Sequence, residues 1–136
     1  MPTVVVTVNY LAIIVAAIVK FGIGAAWFTA LFGKRYRELM GVAEGSMQSG
    51  LAQAMIVQII GDLIMAYVLA RFLGHYGATS IVDGVVIGFM AWLGFVATIM
   101  VGSIFYEKKK PELIAITAGY QLVGIVVMGA ILAIWH

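Results

Sequence analysis

Two ionisable residues stand inside long apolar stretches: Lys20 in VNYLAIIVAAIVKFGIGAAWFTALF and Asp62 in LAQAMIVQIIGDLIMAYVLARFL. An ammonium or a carboxylate in such a setting has two uses. It takes part in moving an ion, a proton or a substrate through hydrocarbon, or it forms an ion pair that fixes helix register and excludes wrong partners. A lone charge at the centre of a membrane helix costs roughly 2.5–3.5 kcal/mol on insertion scales. Lys20 and Asp62 are therefore expected to face each other across the bundle, or Asp62 to carry a proton. Gln58 lies one helical turn before Asp62 on the same face, and Gln121 falls near mid-depth of the last apolar stretch. The four residues Lys20, Asp62, Gln58 and Gln121 are expected to form a mid-membrane polar cluster. Trp92 and Tyr120 lie deeper than an interfacial aromatic belt would put them. As pocket aromatics, either could offer Lys20 a cation–π or hydrogen-bond partner.

Other chemistry is sparse. The 136 residues include no cysteine, which removes disulfides, thiol nucleophiles, iron–sulfur clusters and thiolate zinc sites. His75, Asp83, His136 and Asn9 gather on one side, but no HxxxH or HxxE spacing sets two ligands on one helical turn. No metal site is expected, nor a haem, because neither histidine lies at bundle depth. No GxSxG, phosphate loop or facing pair of carboxylates occurs, so an enzyme is not expected and no cofactor is implied. The eight methionines read as gap-fillers in a bundle rather than copper ligands.

The elements that must position these residues follow from composition. Hydrophobic residues make up 64% and charged residues 10%, and the mean hydropathy is +1.11. Soluble domains are nearer half apolar and a quarter charged, so a cytosolic enzyme domain, a nucleic-acid binder and a disordered tail are excluded. Each crossing takes about 20 apolar residues, and four such runs fall at 8–32, 51–73, 82–106 and 113–135. They are too long and too uniformly apolar for barrel strands. The opening run has no basic residue before it and outlasts a signal-peptide core, so it is expected to be a retained first helix. Gly41–Gly50 is expected to be a flexible loop, and Pro111 to open the fourth helix. The fold class expected is all-α: a single four-span integral membrane domain in a compact antiparallel bundle.

Lys34, Arg35 and Arg37 follow the first run and Lys108, Lys109 and Lys110 the third, whereas Arg71 alone follows the second. This asymmetry predicts both termini outside and the two basic loops in the cytoplasm. There they anchor topology, or recognise anionic lipid beside Tyr36 and Tyr106. Gly84, Gly88, Ala91, Phe95, Thr98 and Gly102 recur at steps of three and four, with Gly84, Gly88, Ala91 and Gly102 as the small helix-packing positions. A weaker stripe runs through Ala115, Gly119, Val126, Gly129 and Ala133. Small residues let helices approach closely in lipid. They would serve packing within the chain, a homo-oligomer, or docking into a larger membrane complex.

The first run with its FGKRY exit, the aspartate-bearing second run, MAWLGF and LIAITAGYQLVGIVVMGAILAIW together resemble a family of bacterial membrane proteins, the domain of unknown function 1761. The likeness covers nearly the whole chain. Its most specific part is the first helix, with Asn9, Gly24, Trp27 and the Phe32-Gly33-Lys34 exit. The resemblance implies a four-helix membrane domain in a bacterial inner membrane and brings no activity with it. The small multidrug-resistance exporters have a similar size and helix count, but they are organised around a glutamate in their first helix, where this chain has Lys20. Three functional expectations follow: a homo-oligomeric, proton-coupled small-molecule carrier using Lys20 and Asp62; an accessory subunit of a larger membrane complex; or a lipid- or pigment-binding module. Membrane lipids are the expected partners and nucleic acid is not.

Overall fold

A computed structural model describes residues 8–40, 51–108 and 110–135. The loop expected at Gly41–Gly50, and His136, lie outside the described residues. Among those described there are helices and turns but no strands. Four helices are long and apolar enough to cross a membrane: Tyr10–Leu31, Ala52–Tyr76, Ile81–Tyr106 and Pro111–Ile134, called here the first to fourth spans. The ends match the sequence expectation to within about three residues. The largest difference is the second span, which runs on past Arg71 and His75 to Tyr76.

Local chemistry sets these boundaries. The Asn9 side chain caps the first span by accepting from the backbone N–H of Ala12 at 3.2 Å. The second span stops at Gly77, which takes φ +66°. The N–H of Ala78 then reaches back to the carbonyl of Leu73, and that of Gly77 to Gly74, closing a Schellman turn. Ser80 caps the third span on the N–H of Asp83 at 3.1 Å. Pro111 opens the fourth, where its missing N–H removes no intrahelical bond. The basic stretch after the first span is not a loop, because Gly33–Met40 forms a short helix.

The fourth span is the hub, packing against the third, the first and the second, whereas the second and third barely touch. The backbones of the third and fourth spans come together at Gly84 and Gly129: a Cβ on either would collide with the carbonyl oxygen of the other. A Cβ on Gly88 would lie 3.0 Å from the Ile125 carbonyl oxygen. With no hydrophobic drive to bring helices together in lipid, such backbone contact maximises dispersion attraction.

The small-residue stripe on the third span does not run straight. Gly84 and Gly88 meet the fourth span, but beyond Ala91 the stripe turns away: Phe95 is exposed, and a Cβ on Gly102 would meet only Tyr106 of its own helix, at 4.0 Å. The reason is a π-helical turn at Trp92–Ala97. Its extra residue rotates everything that follows, so positions aligned by an α-helical repeat leave the packing face. A second π-helical turn, Trp27–Leu31, closes the first span.

Candidate functional site

Lys20 is the eleventh of 22 residues in the first span and Asp62 the eleventh of 25 in the second. At 1.5 Å per residue both lie within about 3 Å of their span centres. The Lys20 Nζ donates to Asp62 Oδ1 at 2.8 Å, with the two side chains 0% and 1% exposed. Gln58 Nε2 donates to the same Oδ1 at 2.9 Å, from a residue that is itself exposed one turn along the second span. A third helix enters through Tyr120, whose hydroxyl oxygen accepts from Lys20 Nζ at 2.9 Å. The ammonium also stands 4.4 Å from the Tyr120 ring centroid, and the Tyr120 hydroxyl in turn lies 3.4 Å from the Lys20 carbonyl oxygen. One cation thus ties together the first, second and fourth spans.

Two glycines make the approach possible. A Cβ on Gly124 would meet the Lys20 side chain at 2.9 Å, and one on Gly24 would meet the Tyr120 ring at 3.0 Å. Lys20 therefore lies in the notch of Gly124 while Tyr120 lies in the notch of Gly24, each glycine standing four residues beyond the polar group on its own helix. Trp27 continues the zipper over Gly119, whose Cβ would come to 3.2 Å from the indole.

One expected member of the cluster, Gln121, and one expected pocket aromatic, Trp92, do not join it. Gln121 makes no hydrogen bond to Lys20 or Asp62; its Oε1 is buried and accepts nothing among the described residues. Asp62 Oδ2 is in the same condition. Trp92 gives Lys20 no contact: its indole N–H donates to the Ala118 carbonyl at 3.0 Å and its ring leans on Phe89. Trp27 does likewise, donating to the Ile116 carbonyl at 2.9 Å. The two π-helical turns thus both begin at a tryptophan hydrogen-bonded to the fourth span, two residues apart along it. Inside the turns Thr29 donates to the Ala25 carbonyl, and Thr98, just after the second turn, donates to that of Gly94 at 2.9 Å. Such back-bonding bends helices. Buried tryptophan seeks an acceptor, which is the one sequence signal for these contacts; the helical repeat does not hold it.

At the end of the bundle, Arg35 donates from Nε and Nη2 to both oxygens of Glu112 at 2.6 and 2.5 Å, and from Nη1 to Glu38 at 3.2 Å. The Glu112 carboxylate, and then that of Glu38, raise the Arg35 pKa above its ordinary value, so the guanidinium stays charged. The sequence offers Arg35 as a topology anchor or a contact to anionic lipid and does not reveal this bidentate tie to the start of the fourth span. Among the described residues no group of three histidines, cysteines or carboxylates could hold a metal; Asn9 and Asp83 sit at the caps of their helices.

Neither the curated proteins nor the solved structures contain a match to this chain. The protein is a multi-pass membrane protein by its four spans. Residues 11–133 match the family described as Protein of unknown function (DUF1761), and with nearly the whole chain covered the protein belongs to that family.

Proposed function

We propose that the protein is a small proton-coupled carrier, acting as a homo-oligomer, in which Asp62 binds the proton and Lys20 is its countercharge. The observation that supports this reading most is the occluded mid-span pair, whose carboxylate spends one oxygen on both of its donors and leaves Oδ2 free. A pair serving register alone gains by satisfying every oxygen, because each buried acceptor without a donor costs about 1–3 kcal/mol. A proton carrier instead needs a carboxylate oxygen within reach of the proton. Binding a proton at Asp62 cancels the attraction that holds Lys20, so the three-helix tie loosens and a second packing of the spans becomes accessible. The π-helical turns at Trp27 and Trp92 are the places in the described spans where such a repacking can be absorbed.

The test is proton uptake into proteoliposomes with a pH-sensitive dye inside and an imposed gradient outside. Asp62→Asn is expected to abolish uptake while keeping the helical content; equal uptake by that variant would overturn the reading. A second reading, an accessory subunit, has its own support. The second and third spans expose large apolar side chains such as Ile64, Phe95 and Ile99, and Gln58 is exposed about 9 Å from the centre of its span. Native mass after gentle extraction separates the two: a homo-oligomer of fixed size supports the carrier, and foreign subunits at fixed ratio support the scaffold. The carrier reading includes a bacterial cytoplasmic membrane, both termini outside, membrane lipids as surroundings, and no enzymatic activity.

A further inference from the structure

Over residues 52–61 the second span is exposed at every position except Ile59, and its buried face begins only at Asp62, continuing through Ala66, Leu69 and Leu73. Most of this uncovered stretch is hydrocarbon and suits lipid. Gln53 lies about 16 Å from the centre of the span, at headgroup level. Gln58 lies about 9 Å from it, inside the hydrocarbon. One N–H of its amide donates to Asp62 Oδ1 at 2.9 Å; the other N–H and Oε1 have no partner among the described residues. Polar groups left open to lipid are costly, so what completes this amide must offer an acceptor and a donor together.

A second copy of the same helix offers both. The charge asymmetry of the loops inserts every copy in one orientation. Two copies that pair therefore do so about an axis along the membrane normal, and a residue on that axis meets its own counterpart. A lysine or an aspartate there would repel itself. An amide is self-complementary, because its N–H and C=O pair reciprocally with those of another amide. The backbone also leaves room. Ala54 and Gly61 flank Gln58 one turn to either side, both are exposed, and a Cβ on Gly61 would meet nothing within 4 Å, so a second helix can approach closely. We propose that two copies of the chain pair through the start of the second span, Gln58 of each hydrogen-bonded to Gln58 of the other, with Ala54 and Gly61 at the crossing. Each Gln58 also donates to Asp62, so the amide pair joins the two Lys20–Asp62 sites in one hydrogen-bonded chain and each copy completes the site of the other. This pairing rests on the homo-oligomer of the carrier reading and gives it a contact face.

The chain has no cysteine, so one introduced thiol reports one position. Ala54→Cys and Gly61→Cys keep Gln58, and in membranes oxidised with copper phenanthroline each is expected to give a disulfide dimer of twice the chain mass. Ile56→Cys and Ile60→Cys stand two residues to either side of Gln58, about 160° from it round the helix. They are expected to give about tenfold less dimer, since α-carbons held more than about 7 Å apart are not bridged. Association itself is read by single-molecule photobleaching of protein diluted in lipid vesicles. Gln58→Leu is expected to weaken it about tenfold, the worth of two interhelical hydrogen bonds in a bilayer. Gly61→Leu, whose side chain fills space outside its own fold, is expected to weaken it at least as much with the melting temperature unchanged. Equal yields on the two faces, no dimer through Ala54 or Gly61, or a crosslinked product of another mass would overturn the proposal, the last in favour of a foreign subunit. Crosslinking reads contact and not flux. Proton uptake without these dimers leaves the carrier with another interface, and these dimers without proton uptake leave the contact without the carrier.

Discussion

Replacing Lys20 and Asp62 one at a time and together gives the sharpest test of what holds the bundle. At 2.8 Å and an effective dielectric near 20, the attraction between their charges is about 6 kcal/mol before desolvation is subtracted. Removing one partner leaves a buried charge, for which about 3–5 kcal/mol is typical. Each survivor keeps one neutral hydrogen bond, Lys20 to Tyr120 or Asp62 to Gln58, and the separated helices still carry their charges in the membrane. Lys20→Met and Asp62→Leu are therefore each expected at the lower end, about 3 kcal/mol. The double variant restores a neutral, similarly filled core and is expected within about 1 kcal/mol of the wild type. That makes the coupling energy about 5 kcal/mol, read as the departure from additivity. The assay is reversible unfolding in mixed micelles, followed by circular dichroism. Additive effects, with the double variant about 6 kcal/mol less stable, would refute the claim that the two charges compensate each other. The same double variant separates structure from function: it is expected to fold and to show no proton uptake.

Gly84→Ala is expected to lose about 1–3 kcal/mol, because its new methyl collides with the Gly129 backbone and whole helices must part; thermal melting in detergent checks this. Gly102→Ala is expected to be neutral or to gain up to about 1 kcal/mol from helix propensity, since the nearest atom to its Cβ is Tyr106 at 4.0 Å. Trp27→Phe and Trp92→Phe each remove one indole donor from the fourth span and are each expected to cost about 1 kcal/mol. Hydrogen exchange should quicken in the π-helical turn that follows the substituted residue, and unchanged exchange would remove the tryptophans from their role as clamps. Glu112→Gln breaks an exposed ion pair and is expected to leave the melting temperature unchanged at ordinary ionic strength.

Much of the architecture is legible in the chain because apolar length alone dictates it. A run of 20 or more apolar residues must satisfy its backbone hydrogen bonds within itself, so four spans follow with no reference to neighbours. The partnership of Lys20 and Asp62 is legible for the same reason: two opposite charges at equal depth in hydrocarbon have few other resolutions. Gly84 and Gly88 as packing positions also follow from periodicity, as long as the helix keeps its α-helical repeat.

What lay beyond the sequence are the features that depend on where one helix meets another. The π-helical turns break the repeat by one residue and carry Phe95, Thr98 and Gly102 off the packing face; no local propensity announces them. Gln121 and Trp92 share the depth of Lys20, but depth is one coordinate and rotation about the helix axis is another. Only the crossing of the first and fourth spans decides that Tyr120, and not Trp92, faces the ammonium, and that Gly24 and Gly124 make room for it. The groove between the second and third spans is likewise a product of assembly: it exists because the fourth span takes up the contacts of both neighbours and leaves the second and third apart. Composition and length determine that this chain lives in a membrane and where its charges lie in depth. Backbone approach, governed by glycine positions and by π-helical turns, decides which of them meet.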